Sequence, residues 1–275
     1  MFFINKCTVR VVFIINIFFI TAVKADTTPH KNVIVNDPQT SRHAVFEHTQ
    51  STHSEKAFGW DFHILTESDY ITEGRDNLSG SGLYSISTEF NYGDFYITPW
   101  LAKGISADYS EVNFNVNYGI YAFDKLEVFV GYGYLKSYED DIGATDHEVN
   151  IDFSYDYSND IQILASIYHS FDAGGLFSEI AFIKSYKFNE ALLVDLSSSF
   201  GFNSGYIVDG HNGLNYAQLR MQLSYLLKNT IELHAYTSYS LAINKNGERF
   251  AGDESLSNLL WGGLKLPILN NQSLG

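Results

Sequence analysis

From Phe58 to Ile268 the chain alternates polar and apolar residues over about twelve segments of strand length, joined by connectors that are alternately short and long. Successive side chains of an extended strand point to opposite faces, so each segment has an apolar side and a polar side. In Glu111 to Tyr118, the residues Val112, Phe114, Val116 and Tyr118 share one face and Glu111, Asn113, Asn115 and Asn117 the other. Glu148 to Tyr157 repeats the design, with Val149, Ile151, Phe153, Tyr155 and Tyr157 opposite Glu148, Asn150, Asp152, Ser154 and Asp156. A closed antiparallel barrel in a bilayer sets every second residue against lipid and the others into its lumen, with tight turns at one rim and longer loops at the other. Both rhythms are present.

Strands are predicted at 58–66, 82–92, 94–102, 109–121, 125–137, 147–157, 161–171, 176–187, 191–202, 215–227, 230–243 and 258–268. The connectors at Tyr92-Gly93-Asp94, Ala122-Phe123-Asp124, Ser158-Asn159-Asp160, Phe188-Asn189-Glu190 and Lys228-Asn229 are short and carry turn-forming residues. Those near 70–81, 103–108, 138–146, 172–175, 203–214 and 244–257 are mostly longer and are expected to face outside. An even strand count places both termini at the short-turn rim, the periplasmic one in bacterial barrels. A propeller or solenoid is discounted, because no motif recurs from one hairpin to the next.

Residues 1–25 carry Lys6 and Arg10, an apolar run from Val11 to Val23 and then Val23-Lys24-Ala25, the pattern of an export signal cleaved before Asp26. The run is shorter than the roughly 20 apolar residues of a spanning helix. Cys7, the single cysteine, lies ahead of that run and would leave with the signal, which excludes disulfides and argues against a lipid anchor. Residues 26–57 are polar and read as a flexible periplasmic tail, 58–268 as the barrel and 269–275 as a C-terminal tail.

Loss of Lys6, Arg10 and Lys24 takes the formal charge from −15 to −18. Such a surface repels nucleic acid and favours cations. The mean hydropathy of −0.10 hides the membrane signal, because lumen residues dilute the lipid face. The 16% aromatic content suits strands and interfacial girdles.

The lumen face is expected to collect Asp61, His63, Glu89, Glu111, Asn113, Glu127, Glu148, Asp152, Glu179, Asp195, Arg220, Glu232 and His234. In a watered lumen such carboxylates would concentrate cations. The competing reading is an ordinary polar barrel interior in which Arg220 and the histidines pair with nearby acids. Twelve strands lie between the filled barrels of eight and the open ones of sixteen, so width leaves both readings standing.

Val130-Gly131-Tyr132-Gly133 imitates a potassium filter but sits inside an alternating strand, where Tyr132 and Tyr134 serve better as interfacial aromatics and the glycines as room in the lumen. His43, His48 and His53 recur every five residues, a spacing that suits neither a helix nor a strand face, so no metal or other cofactor is expected. His169 and Ser170 are the nearest approach to a hydrolytic pair, yet adjacent strand residues point apart, and no enzyme is expected. The acidic groups Glu139-Asp140-Asp141, Asp146 and Asp253-Glu254 read as solvated loop tips, or as ligands for divalent ions among lipopolysaccharide head groups.

At Ser68-Asp69-Tyr70 followed by Gly74, then Tyr96 and Trp100, then the strand ending Tyr118-Gly119, the chain resembles the TorF-type outer-membrane porins over residues 58–160. Those proteins begin with a similar Ser-Asp-Tyr strand, a glycine-bearing first loop and an aromatic third strand. This chain reads Glu73-Gly74-Arg75 where the family has arginine and then glycine, so no functional residue is carried over. The resemblance implies an outer-membrane location and a barrel shape. Together these readings give an all-β, transmembrane, antiparallel up-and-down barrel of about twelve strands. It would be exported, inserted by the barrel-assembly machinery among outer-membrane lipid and lipopolysaccharide, and would pass small hydrophilic solutes. The alternative is a plugged barrel serving structure or surface interaction.

Overall fold

The computed structural model describes residues 58–123, 125–208, 210–243 and 256–269. Among the described residues fourteen strands run in chain order: β1 (Phe58–Glu67), β2 (Ile71–Thr72), β3 (Arg75–Asp76), β4 (Leu83–Tyr92), β5 (Phe95–Gly104), β6 (Tyr109–Phe123), β7 (Leu126–Glu139), β8 (Ile142–Ser158), β9 (Ile161–Ser170), β10 (Gly175–Lys187), β11 (Leu192–Ser204), β12 (Gly213–Lys228), β13 (Ile231–Ala242) and β14 (Leu259–Leu269). Twelve of them form one closed antiparallel barrel in which each strand pairs with its neighbours in sequence and β1 pairs with both β4 and β14. Closure leaves no strand edge, the condition for carrying a sheet across lipid. The short pair β2–β3 stands apart from the wall.

The outer face keeps the apolar phase. Ile64, Ile86, Leu101, Val112, Phe114, Val130, Ile151, Ile167, Phe182, Leu196, Leu219, Met221, Leu233 and Leu264 are all exposed, a belt that water would not tolerate and hydrocarbon does. Aromatic rings gather toward its edges. At the short-turn rim Phe58 stacks on Phe90 and Phe95 packs at a tilt against Tyr118, and Tyr84, Tyr132 and Tyr138 lie outward toward the other rim.

Two predicted connectors differ from the structure. Residues 138–146 are expected as a long outer loop, but β7 and β8 continue upward to Glu139 and Ile142 and turn on two residues, Asp140 and Asp141. Both have left-handed φ, 47° and 65°, as a tight I′ hairpin turn demands. Aspartates tolerate that conformation, so a cluster that resembles loop composition closes a hairpin.

The connector near 70–81, also expected outside, spans residues 68–82 and folds into the barrel mouth as a strap carrying the β2–β3 hairpin. Tyr70, Ile71, Thr72, Glu73, Arg75 and Leu78 are all buried. Tyr70 and Leu78 pack with Leu83, Ala102 and Tyr109 in an apolar cluster inside the wall. The export-signal and tail readings of residues 1–57, the histidines there, Asp253-Glu254 and residues 270–275 lie outside the described residues.

Candidate functional site

The lumen is built from inward positions fixed by the strand register. The structure sets Asp61 and His63 of β1, Glu89 of β4, Glu111 and Asn113 of β6, Glu127 of β7 and Glu148 and Asp152 of β8 on that phase. Glu179 of β10, Asp195 of β11, Arg220 of β12 and Glu232 and His234 of β13 follow on the remaining wall. These positions share one interior but do not converge on one point. Toward the short-turn rim Asp61, Glu89 and Glu127 are half-buried, whereas toward the long-loop rim Glu111 and Glu148 are 1% and 2% exposed.

Tyrosines explain how such acids can be buried. Near the long-loop end, Glu111 accepts hydrogen bonds from Tyr70 at 2.9 Å and from Tyr109, Glu148 from Tyr206, Glu179 from Tyr216, Glu67 from Tyr236 and the strap's Glu73 from Tyr168 at 3.0 Å. A buried carboxylate without donors is costly, and a phenol supplies one without adding charge. The acidic mouth is thus a ring of tyrosine-capped glutamates.

Glycines make two of these contacts possible. Glu179, Gly201 and Tyr216 lie directly opposite one another on β10, β11 and β12, and Glu67, Gly263 and Tyr236 do the same on β1, β14 and β13. In each row the ring crosses the glycine to reach the carboxylate. A Cβ at Gly201 would stand 2.1 Å from the Tyr216 ring, and one at Gly263 2.6 Å from the Tyr236 hydroxyl. A third row, Asn117–Gly131–Asn150, lets Asn150 donate to Asn117 at 3.2 Å over the glycine. Gly131 is therefore room in the lumen, while Tyr132 points outward and bonds His147.

The strap spans the bore. It leaves β1, meets Glu111 on β6 through Tyr70, and through Glu73 reaches Tyr168 on β9, six strands from β1 in the twelve-stranded ring. Arg75 then donates to Asn215 on β12 at 2.6 Å and to the Glu73 carbonyl at 2.8 Å. At the hairpin tip Gly74 takes φ 75°, and a Cβ there would stand 2.6 Å from the Tyr216 ring. Only glycine satisfies both demands.

The sequence reading missed Glu67, Glu73, Arg75 and Lys265 as lumen groups. Lys265 is an inward, buried lysine on β14 beside His234 of β13. The available signals were the apolar Tyr70, Ile71 and Leu78 in a connector expected to be solvated, and Lys265 falling on the phase opposite Leu264 and Leu266. On β9, Ser170 donates inward to Asp146 at 2.8 Å while the His169 ring packs edge-on against Phe171, so the two do not meet.

Around Arg220 the wall changes character. Its guanidinium lies 3.9 Å over the Tyr236 ring and its Nε donates to Ser238 at 2.7 Å, while His234 pairs with Glu232 at 2.8 Å. In the turn after β8, outside the membrane span, Lys184 and then Ser158 hold the Asp160 carboxyl below the usual carboxylate range.

No family model matches this chain, and no curated protein does. Among solved structures it is similar to the KdgM porin, at 6% identity and a TM-score of 0.51 over 76% of this chain and 98% of that one. It is likewise similar to the KdgM porin in complex with disordered oligogalacturonate, at 7% identity and a TM-score of 0.50 over the same shares. The NanC porin matches at 13% identity and a TM-score of 0.49, over 76% and 98%. At such identities the likeness is one of fold, and the fold is the porin-like closed barrel of twelve strands.

Proposed function

We propose that this chain is an outer-membrane porin-like channel for the passive diffusion of small hydrophilic solutes, with a preference for cations and a bore set at the long-loop rim by the strap. The observation that carries the reading is a polar, carboxylate-rich inner face running from rim to rim inside a sealed, apolar-coated wall. The KdgM fold supports it, as does the oligogalacturonate held by one KdgM structure, a hydrophilic solute in a barrel of this kind. The excess of inward acids here points away from polyanionic cargo. Membership of the TorF-type porins, an export signal over residues 1–25, insertion by the assembly machinery and a setting among lipopolysaccharide belong to the same proposal.

A second reading, a barrel closed by its own strap, is favoured by one observation: Ile71, Thr72 and Glu73 are each only 2% exposed inside the mouth. Planar-bilayer recording separates the two. The channel reading expects small conductance steps from the wild type, a reversal potential of cation-selective sign in a KCl gradient, and larger steps from Gly74→Leu, which drives the strap tip off Tyr216. Silence from the wild type with steps from Gly74→Leu would establish the closed barrel, and silence from both, in folded protein, would remove the channel.

A further inference from the structure

On much of the ring the outer face stays apolar up to the long-loop rim. Phe171 just after β9, Leu176 on β10, Phe202 on β11, Leu241 on β13 and Leu260 on β14 are all exposed near those strand ends. The strands β4 to β7 break that pattern. Their outermost row runs from Tyr84 of β4 to Lys103 of β5, Ser110 of β6 and Tyr138 of β7, each directly opposite the next. The row two residues nearer the membrane runs from Ile86 to Leu101, Val112 and Lys136. Tyr84, Ile86, Leu101, Val112 and Tyr138 are exposed, so both lysines stand on the outward phase, at the upper edge of the apolar belt.

Among the described residues, Lys103 and Lys136 are the only lysines or arginines that face outward at this rim. No described acid pairs with either. Lys136 lies 5.1 Å over the ring of Tyr138, a contact that leaves its charge in place and open to an anion. With strands about 4.8 Å apart and a rise of about 3.4 Å per residue, the two Cα atoms stand roughly 12 Å from each other. Lysine stems lie along apolar surface and carry the ammonium out to the interface, so both charges reach the same polar layer. The acids of this corner, Asp108, Asp140 and Asp141, belong to the turns beyond the strand ends, where the Asp140 amide donates to the Asp108 carbonyl at 3.2 Å. They lie past the lysines and would meet an anion through a divalent cation.

In a chain of net charge −15, two unpaired cations side by side over hydrocarbon select their occupant by charge. A ligand that engages both needs two negative groups separated by about the width of a disaccharide. Its middle must be polar, to lie against Ser110 and the tyrosine hydroxyls, and its lower side must be hydrocarbon, to lie against Ile86, Leu101 and Val112. We infer that the outward face of β4 to β7 at the long-loop rim binds the doubly phosphorylated disaccharide head of an outer-leaflet glycolipid, Lys103 and Lys136 each meeting one phosphate. The acyl chains then descend along the belt below. This rests on the outer-membrane setting proposed above and assigns its lipid contact to named residues.

Native mass spectrometry of the folded protein in detergent tests it, by titration with lipid A carrying both phosphates and with the same lipid stripped of them. The wild type should bind the phosphorylated form about thirtyfold more tightly, roughly fivefold for each lysine. Lys103→Gln and Lys136→Gln should each give up about fivefold of that preference, and the double variant all of it. The pair Lys184→Gln, Lys187→Gln, which removes the same charge at the short-turn rim, should keep it. Heat-modifiable migration verifies that each variant is folded. A wild type without preference, a double variant that retains it, or a control pair that loses it overturns the inference. Lysine-dependent protein dimers that exclude the lipid would assign the face to a second copy and overturn it likewise. Recovery of the wild type in the outer-membrane fraction of an expressing bacterium upholds the setting through any of these failures, and recovery elsewhere removes setting and lipid site together.

Discussion

Gly131 shows how much of this interior is decided by single atoms. A Cβ at that position would stand 1.9 Å from Asn117 Oδ1 and 2.4 Å from Asn150 Oδ1, so Gly131→Ala must part the two amides that meet over it. The expected cost is about 1–3 kcal/mol, in line with overpacking a filled site, read as a lower urea midpoint for loss of the heat-modifiable band. At Tyr168 the opposite change applies, because Tyr168→Phe keeps the ring and removes the donor to Glu73. Loss of a hydrogen bond to a buried carboxylate costs about 1.5–3 kcal/mol. Trypsin, to which the buried Arg75 of the wild type should be closed, is expected to cut there in the variant without dissolving the barrel. At the rim, Asp160 is held below its ordinary value by Lys184 and Ser158, so its contribution is fully present above the usual carboxylate value of about 4 and fades as pH falls through the lower folded value. Lys184→Ala should therefore leave the pH dependence of the urea midpoint unchanged above about pH 5 and flatten it only in acid. A Lys184→Ala profile that parts from the wild type between neutral pH and pH 5 would contradict this account.

Among the elements, the wall strands were legible and the strap was not, for a physical reason. A strand declares itself through a two-residue period that any short window contains, so the twelve predicted segments coincide with the wall to within a few residues, apart from the start of β8 at Ile142. The inward phase of the candidate lumen residues followed from the same local rule. The strap is fixed by partners far along the chain: Glu73 meets Tyr168 across 95 residues and Arg75 meets Asn215 across 140. No local pattern carries such a pairing, and most of the tyrosine caps on the glutamates were hidden likewise, since all but Tyr109 on Glu111 join residues from different strands or from a connector. The Glu73-Gly74-Arg75 order became interpretable only once Tyr216 was seen under the glycine. Because the strap adds no rung to the ladders that β1 forms with β4 and β14, replacing residues 70–81 with a short Gly/Ser linker should leave a folded, heat-modifiable barrel with a wider mouth. Loss of the folded band on that replacement would show that the strap is part of the barrel's stability.

At the scale of the whole molecule, closure depends on one seam. β1 pairs with β14 over a register from Asp61 and Leu269 to Glu67 and Gly263, joining the two ends of the barrel sequence. Removing residues 259–269 should yield no heat-modifiable species and a protein that aggregates in detergent, because β1 and β13 would each present a bare edge. The seam also orders events in the living cell. The partner of the first strand is the last of the barrel strands to be synthesised, so this cylinder cannot close before that strand is made, and every nascent chain must be kept apart from its fellows until it arrives.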